Sequence, residues 1–293
     1  MVSDVSDMIG CMAAWTPRGA DPETHHTLID GVPNYMHSSI RDWVVNELQY
    51  VNVGHTYYRI DRMRQYDLDA RGRVSVADTL QQYGASYVFD NMSDDERFRL
   101  IDWLIYSNAT DTEWYDEDDN VALETVLARG SSMWKVGSRD GAPGLERRVP
   151  QGVQDAADAV MAQPGDAGRL LSEAWHAAFG INPDYEKAYS KAVKAVEAAI
   201  IPVVSPKNAS ATLGTVLGQM RGDGDWGLDM TKEHTTHTGA HVVLGMAQAL
   251  WTGQADRHAG NTYTPSTQAE AEAAVFLAVP LVQWFSSGAV ARR

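Results

Sequence analysis

Between residues 38 and 48, apolar side chains recur at Ile40, Trp43, Val44 and Leu48 while Arg41, Asp42 and Glu47 fall between them. That spacing predicts a helix with one buried face. A second helical pattern begins at Val76 and a third runs from Asp94 to Tyr106, with Phe98, Leu100, Ile101 and Leu104 as its apolar side. Ser93 and Glu96 form a capping box at its start. The segment up to Pro33 carries Pro17, Gly19, Pro22 and Gly31 with few periodic apolar positions, so it reads as a loosely structured lead-in. Acidic residues crowd the stretch from Asp111 to Asn120 and predict a solvated connection. A calcium loop would need spaced acidic positions, a glycine and a terminal glutamate, and that register is absent. Ser132 to Val136 and Leu145 to Val149 then flank Asp140-Gly141, which predicts a short hairpin as the only β element of any size.

From about Pro164 the pattern is cleanly helical. Leu170, Leu171, Ala174, Trp175, Ala178 and Phe179 line one side of a helix over 169–179, and Gly180 supplies a residue that tolerates a left-handed helix end. A helix after Asn182-Pro183-Asp184 carries Tyr185, Tyr189, Ala192, Val193, Val196 and Ile200 opposite Lys187, Lys191 and Lys194, and Pro202 is expected to end it near Ile201. Ala209 to Met220 predicts a short helix, followed by a Gly222-Asp-Gly-Asp225 turn anchored by Trp226. The last two helices are expected over 232–251 and 268–285, the second capped by Thr267 with Glu270.

Two regions follow from this pattern, a mostly helical amino-terminal one over 1–150 with the small hairpin and a helical bundle over 151–293. The fold class is mainly α, with an up-and-down bundle of four or five helices at the carboxyl end. The composition narrows function further. With 24 Lys and Arg against 39 Asp and Glu the formal charge is −15, which argues against a protein that coats bare nucleic acid. Cys11 is the single cysteine, so a disulfide scaffold and an all-cysteine metal cage are both excluded. No stretch approaches the roughly 18 apolar residues of a spanning helix, and no basic start with an apolar run resembles a signal peptide. The expectation is a cytoplasmic protein without a membrane partner.

Candidate chemistry is sparse. His234, His237 and His241 fall at spacings of three and four, and at about 100° per residue they share a helical face nearly opposite Val243, Met246, Ala247 and Leu250. A solvated polar face is the ordinary account of such a stripe, and a transition-metal site helped by Glu233 is the sharper one. There is no nucleophile elbow, no phosphate-binding loop with its lysine, and no dinucleotide-binding glycine pattern. Between the last two helices, however, Asp256, Arg257 and His258 stand together in a glycine-containing segment. An arginine fork binds phosphate and a neighbouring imidazole titrates near neutrality, a pairing suited to RNA phosphodiester cleavage without a metal or cofactor. The structural alternative is that Arg257 pairs with Asp256 or caps the preceding helix.

Four features stand together in the stretch from about Asp184 to Gly288: Ala188-Tyr-Ser-Lys-Ala-Val-Lys-Ala-Val-Glu197, Ala211-Thr-Leu-Gly214, Arg257-His258, and the alanine-rich segment Gln268-Ala-Glu-Ala-Glu-Ala-Ala-Val-Phe-Leu-Ala278. By these the stretch resembles the carboxyl-terminal domain of bacterial abortive-infection proteins, a branch of the HEPN superfamily of helical bundles. The resemblance covers about a third of the chain. It implies an antiphage-type protein, a homodimer, RNA as substrate, Arg257 as the motif arginine and His258 as the polar residue beside it. Asp256 would orient one of them. The motif is degenerate, because the family's second histidine would follow within a few residues and none stands from 259 to 293. A non-catalytic module that binds a bacterial or phage protein is therefore the alternative expectation.

Overall fold

The computed structural model describes residues 15–21, 25–110, 117–139, 142–254 and 264–292. The fold is mainly α, with twelve helices among the described residues and three two-stranded antiparallel sheets. The chain divides into two compact units, with the boundary between Arg148 and Val149. No helix among the described residues is long and apolar enough to cross a membrane.

In the first unit, α1 (Asn34–Leu48) buries Ile40, Trp43, Val44 and Leu48, as their spacing predicts, but it starts four residues earlier, adds Met36 to the core, and buries Glu47, which the pattern placed among the polar positions. A hairpin of β1 (Gln49–Asn52) and β2 (His55–Tyr58) follows, pairing Asn52 with His55. Its two-residue turn holds Val53 at φ 48 and Gly54 at φ 78. Such turns favour Asn-Gly or Asp-Gly, so Val53-Gly54 hides the hairpin from a sequence reading. Helices α2 (Ile60–Ala70), α3 (Val76–Tyr83) and α4 (Ala85–Asp90) come next, then α5 (Asp94–Thr110). The box at the head of α5 is made: Ser93 N and Oγ both donate to Glu96 Oε2 at 2.8 Å. Those two hydrogen bonds hold the Glu96 carboxyl below the ordinary glutamate range.

Part of the acidic run is helical rather than a connection, because α6 (Glu117–Arg129) takes up its last residues. Acidic side chains favour the positive end of a helix, and Leu123 and Leu127, both fully buried, give α6 its core contact. The expected hairpin is present as β3 (Trp134–Arg139) and β4 (Ala142–Arg147), with Arg139 opposite Ala142. It packs on α5, where Leu145 N donates to buried Asp102 Oδ1 at 2.8 Å.

The second unit is built around α9 (Tyr185–Val204), which packs against α8 (Asp166–Phe179), α10 (Leu213–Asp223), α11 (Gly239–Gly253) and α12 (Gln268–Ser286). A helix with neighbours on several sides needs small and apolar residues around much of its circumference. Ala188, Ala192, Ala195, Val196 and Ile200 meet that need. The preceding helix α7 (Gln151–Met161) packs on α8 and α12. Pro202 does not end α9, which runs on to Val204. The missing proline N–H forfeits one hydrogen bond, but Val204 is buried in the core and Ser205 N still donates to Ile201 O at 2.8 Å. Gly180 is not left-handed either, since its φ is −71. Its smallness matters because a β-carbon there would stand 2.6 Å from His176 O.

The expectation of a single hairpin is corrected again here, because β5 (Trp226–Leu228) pairs with β6 (Val290–Arg292). The turn before β5 closes α10 with Gly224 in the left-handed conformation, φ 70, and Trp226 Nε1 donates to Asp223 Oδ2 at 3.1 Å. Arg292 then ties the sheet to that turn through Asp223 and Asp225, at 2.6 and 3.2 Å.

Candidate functional site

Asp256, Arg257 and His258 lie outside the described residues, which break between Gln254 and Thr264. The frame around that break is well defined. On one side α11 ends at Gly253, and on the other Thr267 caps α12, its N and Oγ1 both donating to Glu270 Oε2 at 2.8 Å. The α11 and α12 helices pack against each other, and each also meets α9.

The residues quoted for the family resemblance share one set of contacts at the end of α11. Tyr189 sends its hydroxyl to Leu250 O at 3.0 Å, a buried hydrogen bond that pins the last turn before residue 255. Gly253 accommodates that hydroxyl, since a β-carbon would collide with it. Glu197 accepts from Leu213 N at 2.8 Å and satisfies a free donor at the head of α10. Next to it Gly214 lets the Trp251 ring lie against the backbone, because a β-carbon would meet Trp251 Cζ2 at 2.7 Å. These small and polar residues therefore have structural work here: they lock α9, α10 and the last turn of α11 together. Gly214→Ala is expected to cost about 1–3 kcal/mol by overpacking against the indole, seen as a lower thermal midpoint; an unchanged midpoint would mean that Trp251 swings aside freely.

The lysine face of α9 is less free than its spacing suggests. Lys191 pairs with Glu173, and that bond holds the Glu173 carboxyl below its ordinary range. Lys187 and Lys194 remain exposed.

The histidine stripe is corrected by the start of α11. The helix begins at Gly239, with Thr238 capping it by accepting from His241 N at 3.4 Å, so His234 and His237 precede the helix instead of sharing its face. Locally, His234 Nδ1 accepts from Thr236 N and His237 N, both at 3.2 Å, and the two rings stack at 5.2 Å. Side-chain acceptors that capture nearby backbone N–H groups compete with helix formation. Glu233 is engaged in the same way, its Oε1 accepting from Gly239 N at 3.2 Å. Among the described residues no group of three or more His, Cys, Asp and Glu side chains could hold a metal ion.

What sequence reading missed is a cavity of about 690 Å³ at the head of α11, lined by Arg221, Asp225, Trp226, Glu233, His241 and Gln248 among others. Most of these polar groups are committed to the fold. Arg221 bonds Gln248, Asp225 pairs with Arg292, and Glu233 caps α11. His241 Nδ1 is 3.0 Å from Thr238 Oγ1. The lining runs along α11 from Ala240 to Gln248, so its far end stands six residues, or about 9 Å at 1.5 Å per residue, short of Gln254, the residue at which the segment bearing Arg257 and His258 departs. The cavity is lined from α10, β5, the loop before α11 and α11 itself, so no local motif announces it. Comparison with known protein families, with curated proteins and with solved structures finds no match.

Proposed function

We propose that this chain is an HEPN-like protein of the abortive-infection type that acts on RNA in the bacterial cytoplasm. Arg257 would hold the scissile phosphate, His258 would act as general base, and Asp256 would orient one of them. The observation that carries the reading is the Arg257-His258 pair in the segment joining the last two helices of a helical bundle. Arginine forms two parallel hydrogen bonds to a phosphate, and histidine exchanges a proton near neutral pH, so the pair supplies the two functions that phosphodiester cleavage requires. Further support comes from the packing of α9, α11 and α12, which holds both ends of that segment against one core. A homodimer would bring two copies of the pair together and double the positive charge at the site, where screening limits repulsion from the distant acidic surface of a −15 chain.

One observation favours a second reading. No histidine follows His258, so the usual second imidazole of the motif is missing, and a module that binds a bacterial or phage protein without cleaving RNA would need none. The test is incubation of the purified chain with total bacterial RNA and with defined tRNA, without divalent metal, beside Arg257→Ala and His258→Ala. Discrete cleavage that falls about a hundredfold or more in both variants is the expected result. Intact RNA in every lane would sink the enzyme reading and favour the binding module.

A further inference from the structure

The amino-terminal unit holds a cleft of about 600 Å³ between the α2–α3 connection, the α3–α4 corner and the start of α5. Arg71, Arg73 and Arg99 line it, and none of the three forms an ion pair among the described residues. The contrast within the unit is clear, since Arg41, Arg62, Arg64 and Arg97 all pair with carboxylates. Two carboxylates share the cleft but are occupied elsewhere. Asp67 accepts from Val76 N at 2.7 Å, Ala77 N at 3.1 Å and Ser75 Oγ at 2.8 Å, and Glu96 caps α5. Three arginines without an ion-pair partner among the described residues therefore line one opening, against two carboxylates whose oxygens cap helices, in a chain whose net charge is −15. Arg71 does so from φ 51, a left-handed backbone that disfavours any β-carbon and that glycine would adopt more easily.

The other wall is aromatic. Tyr83 and Tyr87 stack with centroids 4.5 Å apart and rings tilted by 28°, yet remain 55% and 43% exposed, so part of the pair faces solvent. Tyr66 also lines the cleft, is only 7% exposed, and its hydroxyl has no hydrogen-bond partner among the described residues. Burial pushes its phenol up to about 12, so it stays a donor at neutral pH.

We propose that this cleft binds a nucleoside phosphate, with the phosphoryl groups on Arg71, Arg73 and Arg99 and the base against the Tyr83 and Tyr87 rings. Guanidinium forks match phosphate geometry, and a base stacks on tyrosine whatever its identity. The Tyr66 hydroxyl would donate to a ligand oxygen. The volume falls within the roughly 300–1,000 Å³ of small-ligand sites. An acidic peptide would satisfy the arginines but would leave the tyrosine stack without a flat partner. The assignment stands apart from the RNA-cleavage reading, whose residues belong to the other unit.

Free nucleotides and nucleotides within a single strand share this chemistry, so calorimetric titration of the full chain uses ATP and a short oligoadenylate RNA, with inorganic tripolyphosphate and adenosine as partial ligands. The expected result is one site that takes a nucleotide more tightly than either partial ligand. Tighter binding of ATP assigns a free nucleotide, and tighter binding of the oligomer assigns a strand segment. Arg73→Ala, Arg99→Ala and Tyr83→Ala, all at exposed side chains, should each weaken binding at least about fivefold. Arg71→Gly should weaken it likewise while leaving the thermal midpoint unchanged or raised, which separates ligand contact from folding. No binding of either nucleotide probe, tripolyphosphate binding as tight as both, or variants that bind like the wild type would each overturn the proposal.

Discussion

Glu47→Ala is expected to destabilise the amino-terminal unit by about 3–5 kcal/mol, the usual cost of removing one partner from a buried ion pair. Glu47 is 7% exposed and its Oε2 accepts from Arg62 Nη1 at 3.0 Å and from Asn108 Nδ2 at 3.1 Å. Arg62 also donates to Ser107 Oγ at 2.6 Å and to Leu104 O at 3.2 Å, so the guanidinium joins α1, α2 and α5. Without Glu47 the cation would remain desolvated with neutral acceptors alone, and the nearest solvent access is slight, since its side chain is 14% exposed. The pair is not necessarily a net gain over apolar residues of the same size, because both charges are desolvated. Buried Asn108 donates to Glu47 and accepts from Arg62, so the triple variant Glu47→Leu, Arg62→Met and Asn108→Leu, which leaves no orphaned amide, should recover most of the loss. Denaturant unfolding followed by tryptophan fluorescence reads both effects. A single variant as stable as the wild type would show that water reaches Arg62 freely.

In the carboxyl-terminal unit the largest effect is expected at Trp175. Its side chain is fully buried, with the Phe179 ring centroid 4.6 Å away and that of Phe276 at 6.3 Å. Trp175→Ala removes the largest fully buried side chain among the described residues and should cost about 3–5 kcal/mol, from lost transfer energy and the cavity left behind. Trp175→Phe should cost much less than its change in volume suggests. The indole Nε1 is buried without a hydrogen-bond partner, an arrangement that costs about 1–3 kcal/mol, and phenylalanine removes the donor. The two variants are compared by the midpoint of the unfolding transition assigned to this unit. Equal losses for both would mean that the indole N–H is satisfied by water.

The candidate chemistry was legible only in part. Arg257 and His258 stand out in the sequence because they adjoin one another and their residue types suit phosphate chemistry; they lie outside the described residues. The three arginines of the amino-terminal cleft escaped, since Arg99 is on α5 while Arg71 and Arg73 are on the α2–α3 connection; the Glu96 cap was legible, but nothing local says that Asp67 is engaged with the head of α3. The histidine stripe failed for the opposite reason. Its spacing suits a helix, but Thr238 captures the helix start and leaves His234 and His237 outside it.

Sequence by itself determined the mainly α class, the helices expected over 38–48 and 268–285, which the structure gives as Asn34–Leu48 and Gln268–Ser286, the Ser93–Glu96 and Thr267–Glu270 capping boxes, and the β3–β4 hairpin. All of these rest on interactions between residues close in the chain: apolar periodicity, a side chain three residues from the backbone N–H it serves, and a two-residue turn. Tertiary structure decided the rest. The pairing of β5 with β6 joins Trp226 to Arg292, residues separated by two intervening helices, α11 and α12. The continuation of α9 past Pro202 follows from the burial of Val204. The central place of α9 depends on four helices that only the folded chain brings to it, because burial of apolar surface is non-directional and selects partners by shape and supply rather than by distance along the sequence.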